Sequence, residues 1–362
     1  MKIAIFHNFM DNIGGAEMVC LTLARELRAD IYTTNIDREK IRKMGFANVK
    51  VISIGSIPLQ APFRQQMALF RFRTLNLGKK YDFYIIGGDW AVSGALQNKP
   101  NLWYVHSPPR ELWDLYHYTR TYIVEWYKRW PFDAWVFWNR SLYRKYVREV
   151  DKIVCNSKNV QVRIHRYLGR NALVVYPPID TSLFYYQKNG DFWLSVNRLI
   201  AHKRIDLQMH AFAQLPQEQL VVVGSYEQSA HFQQYVSYIK RIAPSHVKIL
   251  SWVDADRLRE LYATCKGFIT TSHNEDFGMN AVEAMASGKP VIAPNEGGYK
   301  ESIVNGKTGI LIDDINVSTL KSAINKIGEN PFIYKNDCLK QAKKFDTKIF
   351  IKKIKEKIYE KS

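Results

Sequence analysis

The sequence predicts an α/β protein made of two doubly wound domains. Three observations carry that expectation. Short apolar strands alternate with helix-periodic segments along the chain, as in βαβ units of a mostly parallel sheet. The length, 362 residues, exceeds the roughly 250–300 at which a single hydrophobic core stops growing. The alternation also breaks once, at Val174-Val175-Tyr176-Pro177-Pro178-Ile179-Asp180. Two consecutive prolines there suit a rigid linker, and the pattern then restarts. The expected domains are 1–176 and 177–345.

In the first domain, residues 2–8 are apolar and read as a strand, and 17–27 have the helical period. Strands are expected at 31–33, 49–53, 83–87 and 102–105. Residues 124–150 are strongly helical and aromatic, and 152–156 form another strand. The second domain opens on a strand at 192–196. Further strands are expected at 220–223, 247–250, 268–271, 291–293 and 309–312, with helices between them. A last helix is expected near 347–359. No internal repeat is evident.

The most informative stretch is Glu275-Asp276-Phe277-Gly278-Met279-Asn280-Ala281-Val282-Glu283-Ala284-Met285-Ala286. The run Gly267-Phe268-Ile269-Thr270-Thr271 before it reads as a buried strand. The helix after it stops at Ser287-Gly288-Lys289-Pro290, with Gly as C-cap and Pro as terminator. Strand, polar loop and helix build a ligand crevice at the carboxyl ends of parallel strands. Glu275 is expected at the strand end and Glu283 in the second helical turn. Between them the amides of Gly278, Met279 and Asn280 favour an anion.

Glu275 and Glu283 in this frame resemble the Glu-x7-Glu signature of family four retaining glycosyltransferases, which have the GT-B fold of two Rossmann-like domains facing a central cleft. The resemblance implies that Glu275 lies beside the transferred sugar and that Glu283 binds the nucleotide's ribose, with Phe277 to Asn280 along the phosphates. Arg198, just past the strand at 192–196, and Lys203, at the start of the next helix, are similar to the family's Arg-x4-Lys pair. Two cations converging on a diphosphate suit a departing nucleotide. Asn197 stands where the family has Gly. Arg204 and His202 are read as solvated.

Gly14 and Gly15 follow the first strand; such a pair lets the backbone approach a phosphate, or is simply a turn. They resemble the family's first-domain glycine loop, with Glu17 bracing the helix start. His106-Ser107-Pro108-Pro109-Arg110-Glu111-Leu112-Trp113-Asp114-Leu115-Tyr116 is similar to a segment of polysaccharide-assembling mannosyltransferases. That implies a sugar- and acceptor-contacting role for His106, with Arg110 a candidate for acceptor phosphate. Gly224 ends a strand beside the expected nucleotide. Ser251-Trp252-Val253 resembles the base-cradling turn, with Ser251 in place of Gly. Gly297-Gly298-Tyr299-Lys300-Glu301 resembles a late turn that shapes the crevice. By the same resemblance the last helix, 346–362, packs back on the first domain.

The four cysteines, Cys20, Cys155, Cys265 and Cys338, have neither metal nor redox spacing and read as reduced core thiols. No carboxylate cluster for a divalent metal is evident, so no metal is expected and no cofactor beyond the donor, a nucleotide-diphosphate sugar with GDP-mannose first and a UDP-hexose second. The chain starts directly on a strand, and no apolar run approaches the ~20 residues of a membrane span. A cytoplasmic protein, peripheral at the inner face of the membrane, is therefore expected. The net charge of +18 implies phosphate-bearing partners, and no nucleic-acid motif accompanies it.

Between Trp113 and Trp138 aromatics and cations are dense, among them Tyr122, Trp126, Lys128, Arg129 and Trp130. This is either an anionic-membrane surface or an aromatic core beside a basic face. The reaction expected is retaining transfer of a hexose to a glycan or polyprenyl-linked acceptor, with the domains closing about Pro177-Pro178. A nucleotide-sugar epimerase or a phosphorylase on the same fold, and a noncatalytic basic membrane- or nucleic-acid-binding protein, are the alternatives. No lysine motif for the pyridoxal phosphate of a phosphorylase is apparent.

Overall fold

The structure, a computed structural model, describes residues 1–12, 14–224, 230–251 and 253–360. Ile13 of the glycine loop, Ser225 after Gly224, Trp252 of the Ser251-Trp252-Val253 turn and Lys361 lie outside the described residues. The chain forms two compact units. Unit 1 holds Met1–Tyr176 with Phe350–Ser362, and unit 2 holds Pro177–Ile349.

Unit 1 carries β1 (Ile3–Phe6), β2 (Asp30–Thr33), β3 (Val51–Ser53), β4 (Phe83–Ile86), β5 (Asn101–Val105), β6 (Lys152–Cys155) and β7 (Leu173–Val174). They form one sheet in the order β3-β2-β1-β4-β5-β6-β7, with every pairing parallel. The inner strands β1, β4 and β5 are buried at every residue. A parallel sheet covered on both faces requires such continuous apolar runs. Its helices are α1 (Gly15–Leu27), α2 (Arg38–Lys43), α3 (Phe63–Thr74), α4 (Arg129–Arg148) and α5 (Lys158–Leu168). Aromatics fill the core: Trp103 and Tyr143 meet edge-on at 5.9 Å, and Trp90 lies 5.9 Å from Trp135.

The single helix expected over 124–150 divides into a 3-10 turn, Trp126–Lys128, and α4. Pro131 falls in the first turn of α4, where its missing N–H has no intrahelical acceptor to lose. The six-residue α2 and the two-residue β7 carry too few periodic residues to stand out in the sequence, and α3 carries apolar residues on both its buried and its exposed side.

Unit 2 carries β8 (Phe192–Val196), β9 (Gln219–Val223), β10 (Val247–Leu250), β11 (Gly267–Ile269), β12 (Val291–Pro294) and β13 (Gly309–Ile312). Their order is β10-β9-β8-β11-β12-β13, again all parallel. The helices are α6 (Ile205–Ala213), α7 (Ala230–Ile242), α8 (Ala255–Thr264), α9 (Met279–Ala286), α10 (Tyr299–Ser302), α11 (Val317–Glu329), α12 (Lys335–Ala342) and α13 (Thr347–Tyr359). β11 stops two residues before the expected 271. Beyond it Thr271 Oγ1 turns to the carbonyls of Lys203 and Arg204, 2.8 Å from each.

α13 starts in unit 2 and continues into unit 1. Thr347 N donates to Ile179 O at 3.0 Å and Ile179 N to Phe345 O at 2.9 Å. These bonds keep residues to Ile349 with unit 2, so the division falls four residues after the expected 345. In unit 1 the Phe350 ring meets Tyr104 edge-on at 5.4 Å, and Lys152 Nζ donates to Lys357 O at 3.0 Å. Pro177 and Pro178 are buried, so the linker is packed. All four cysteines are buried and free.

Each sheet has one point where strand order reverses: between β1 and β4 in unit 1, and between β8 and β11 in unit 2. Ligands of open parallel sheets bind outside the carboxyl ends of strands at such points.

Candidate functional site

In unit 2 the chain leaves β8 through Asn197, buried, whose amide donates to Val223 O at 3.0 Å. Arg198 follows and is exposed. A 3-10 turn, Ala201–Lys203, comes next, then Arg204 in the left-handed region at φ 50°. Lys203 therefore precedes the next helix, which opens at Ile205; the left-handed residue breaks the run. Lys203 Nζ pairs with Glu275 Oε2, and both side chains are mostly buried, 12% and 20% exposed. Burial alone would raise the Glu275 pKa. The Lys203 charge and hydrogen bond, with Ser272 and His202, outweigh it and hold the carboxyl well below its usual range. Arg204, read as solvated, is instead engaged: Nε donates to Thr271 O and Nη2 to Glu296 Oε1, both at 2.6 Å.

The loop bearing Glu275 is fixed by the Gly297-Gly298 turn. Gly298 N donates to Glu275 O at 2.8 Å. A Cβ on Gly297, where φ is +59°, would lie 2.5 Å from Glu275 O; one on Gly298 would lie 2.3 Å from Phe277 Cα. Only glycine lets these backbones approach so closely. Gly278, at φ 84°, is the N-cap of α9, and a Cβ there would strike the Tyr299 ring at 2.3 Å. Tyr299 is itself buried, its hydroxyl 2.7 Å from Thr270 Oγ1.

Phe277 needs correction as a ligand-facing residue. Its side chain is 2% exposed and packs on Phe345 at 5.4 Å, so it does not face a ligand. Met279 and Asn280 lie in the first turn of α9, before any intrahelical acceptor is in reach of their amides. Asn280 Nδ2 donates to Val196 O at 2.7 Å. That bond brings the chain leaving β8, which carries Arg198, beside the start of α9. Glu283, in the second turn, accepts from Tyr262 O–H at 2.9 Å. Burial raises its pKa, against which the Tyr262 bond acts. Gly224 is buried, and a Cβ there would meet Leu199 Cγ at 2.6 Å; its absence lets β9 end against the Asn197–Leu199 turn. Val253 is partly buried in the loop before α8.

In unit 1, β1 ends at His7 and Asn8, β4 at Gly87 and Gly88, and β5 at His106. His7 Nε2 lies 3.0 Å from Glu17 Oε1, and its Nδ1 lies 3.3 Å from Cys20 Sγ. Glu17 Oε2 accepts from Gly14 N at 2.8 Å. Glu17 thus braces the helix start, and His7 holds Glu17. Burial acts to lower the His7 pKa, but Cys20 and Glu17 carry it well above its ordinary value. Gly14 and Gly15 are exposed. Asn8 Nδ2 donates to Asp89, and Asn8 Oδ1 accepts from Ala91 N at 2.8 Å. A Cβ on Gly88 would fall 2.6 Å from Asn8 N. The Asn8–Asp89 pair escapes sequence reading, since its partners are 81 residues apart; a known strand order would have found it.

His106 stacks edge-on against Tyr104 at 5.2 Å, and its carbonyl accepts from Asn156 Nδ2 at 2.9 Å. Its Nε2 is buried and has no hydrogen-bond partner among the described residues. Burial first, and the nearby His7 second, lower its pKa to about 3, so the imidazole is neutral at physiological pH. Arg110 is not open for a phosphate: Nε and Nη2 both reach Asp114 Oδ2, at 3.0 and 2.8 Å. Glu111, by burial and the neighbouring Asp89, is raised to about 7. Among the described residues no group of three or more His, Cys, Asp or Glu is arranged to hold a metal ion.

Comparison with known proteins covers both units. Residues 13–183 match the family model described as Glycosyltransferase Family 4, and residues 186–345 match Glycosyl transferases group 1. The chain is 26% identical to the alpha-1,3/1,6-mannosyltransferase ALG2 of Dictyostelium discoideum, over 91% of this chain and 90% of that protein. It is also 26% identical to an uncharacterized glycosyltransferase of Methanocaldococcus jannaschii, where the match spans about half of each, 53%. Among solved structures it is similar to HepE of Anabaena in complex with UDP and glucose, with a TM-score of 0.81, 21% identity and 100% of both chains covered.

Proposed function

The chain is a family-four glycosyltransferase of the GT-B fold, related to mannosyltransferases, and we propose that it moves mannose from GDP-mannose, with retention, to a glycan or lipid-linked acceptor. The observation that carries the reading is the Lys203–Glu275 pair near the first turn of α9. One place offers a cation, an ionised carboxylate and a helix N-terminus.

Unit 2 would hold the donor and unit 1 the acceptor. As the C1–O bond to phosphate breaks, charge grows on the diphosphate. Arg198, Lys203 and the backbone amides from Phe277 to Asn280 would stabilise it, most strongly where water is excluded. Glu283, steadied by Tyr262, would accept from the ribose hydroxyls. Gly224 and Val253 would border the base, and Gly14 and Gly15 would let the unit 1 backbone approach the substrates. Glu275 would orient the sugar and pair with Lys203, without forming a covalent intermediate. The acceptor oxygen would add to C1 on the departing side, its proton passing to the leaving phosphate. His106, neutral with a free Nε2, is suited to a hydrogen bond from or to a sugar hydroxyl.

The mannosyltransferase relative supports the sugar. A UDP-hexose is the rival donor, prompted by the UDP and glucose of the Anabaena neighbour. A thermal-shift panel of GDP, UDP, ADP and their sugars separates the two. A ligand that binds only the folded state adds about 2.7 kcal/mol at a hundred times its Kd. GDP and GDP-mannose should raise the unfolding temperature. A shift with uridine compounds alone overturns the donor, and undiminished transfer by both Glu275→Gln and Lys203→Ala overturns the mechanism.

A further inference from the structure

We propose that unit 1 docks on an anionic lipid bilayer through the aromatic faces of α3 and α4. α4 is twenty residues long and buries Val136, Asn139, Tyr143 and Tyr146 on one side. Its other side carries Trp130, Phe137 and Trp138, which are 83, 80 and 65% exposed. Positions i, i+7 and i+8 share one helical face. Trp126, 78% exposed, extends the patch just before the helix. On α3 the exposed residues Phe63, Met67 and Phe70 again share a face, at i, i+4 and i+7. Gln66 Nε2 donates to Asn139 Oδ1 at 2.6 Å, so the helices are neighbours. The exposed Met67 and Trp138 are the chain neighbours of that bonded pair. Apolar patches of this kind mark an interaction surface rather than ordinary solvent-facing protein.

Charge selects the occupant. α3 contains no acidic residue and exposes Arg71 and Arg73; α4 exposes Lys145 and Arg148. The one carboxylate of α4, Asp133, is already held by Arg120 and Tyr116. Trp and Phe beside uncompensated cations match the headgroup layer of an anionic leaflet, where rings sit at the interface and cations meet phosphate. No helix among the described residues is long and apolar enough to cross a membrane, so the contact is peripheral. It deepens the reading above by naming where a lipid-linked acceptor would be met. The assay below contains no sugar nucleotide, so its failure leaves the donor and the chemistry untouched.

The test is flotation of the full chain with vesicles of phosphatidylcholine alone and of phosphatidylcholine mixed with phosphatidylglycerol. The chain should float with the mixed vesicles, less so as salt rises, with a blue shift of tryptophan fluorescence. Trp130→Ser with Phe137→Ser and Trp138→Ser should weaken flotation about tenfold or more while the unfolding midpoint and circular dichroism stay unchanged. Arg71→Glu with Arg73→Glu should keep the fold and lose the preference for phosphatidylglycerol. Flotation of the serine variant equal to the parent, or absence of flotation by the parent, overturns the proposal. So does a parent dimer that the serine variant converts to monomer while neither binds vesicles, since the surface would then join two copies of this chain.

Discussion

At the scale of single residues, the Lys203–Glu275 pair is a mostly buried ion pair, and the proposed mechanism places it at the leaving group. Glu275→Gln leaves a mostly buried ammonium without its counter-charge. The amide can still accept one hydrogen bond, so a loss of about 1–3 kcal/mol is expected in urea unfolding, together with loss of transfer. The pair also has a pH signature. The folded pKa of Glu275 lies below its ordinary 4.5, so its contribution is complete above that value and disappears as pH falls through the folded one. His106 acts on the same limb by another route. It is lowered from 6.5 to about 3, so below 6.5 the unfolded chain takes up a proton that the folded chain refuses. Stability therefore falls as pH drops from 6.5 toward 3, and His106→Asn should flatten that limb in a pH series of unfolding midpoints. An unchanged slope would mean that His106 is not buried neutral. Glu275, Glu283, Arg198, Lys203 and His106 were proposed from residue type and spacing alone. Their partners were not. Lys203 and Glu275 are 72 residues apart, and nothing local joins them until β8 lies beside β11. Arg204 looked solvated for the same reason, since Glu296 arrives only after β12.

At the scale of elements, the Gly297-Gly298 turn positions the Glu275 loop by excluding side chains. Gly298→Ala would place a methyl 2.3 Å from Phe277 Cα, and Gly297→Ala would add a strained φ of +59°. Each should cost about 1–3 kcal/mol through overpacking and weaken nucleotide-induced thermal shifts by displacing Glu275 and the start of α9. Gly328→Ala is the opposing control. Gly328 lies in helix α11 with no atom closer than 3.7 Å to its built Cβ, so the substitution should gain roughly 0.5–1 kcal/mol. A destabilised Gly328→Ala, or a neutral Gly298→Ala, would contradict this account of close backbone approach. Strands were read well because parallel-sheet strands are continuous apolar runs between turn residues. Helix α4 was read as too long, since its amphipathic signal runs on through the 3-10 turn before it. The short α2 lacks that signal, and α3 blurs it with apolar residues on both faces.

At the scale of the molecule, the two units share α13. Phe350, Ile351, Ile354 and Ile358 are buried in it, at 8% exposure or less. At roughly 1.5–3 kcal/mol per buried side chain, an upper bound for a compact unfolded state, their removal costs about 6–12 kcal/mol. Total stabilities are about 5–15 kcal/mol, so a chain ending at Ile349 should lose the cooperative unfolding of unit 1 and be cleaved there by limited proteolysis. Retention of both unfolding transitions would show that α13 is dispensable. The sequence by itself determined the α/β class and the strands, because each is written in local period and turn chemistry. Only the tertiary structure decided which strands are neighbours. Strand order is a long-range choice that no local pattern encodes. From it follow the Lys203–Glu275 pair, the Asn8–Asp89 pair and the glycine turn behind Glu275. It also decided which aromatics between Trp113 and Trp138 enter the core and which stand in solvent: Trp113 is buried and Trp130 exposed, though both are tryptophans in one aromatic segment.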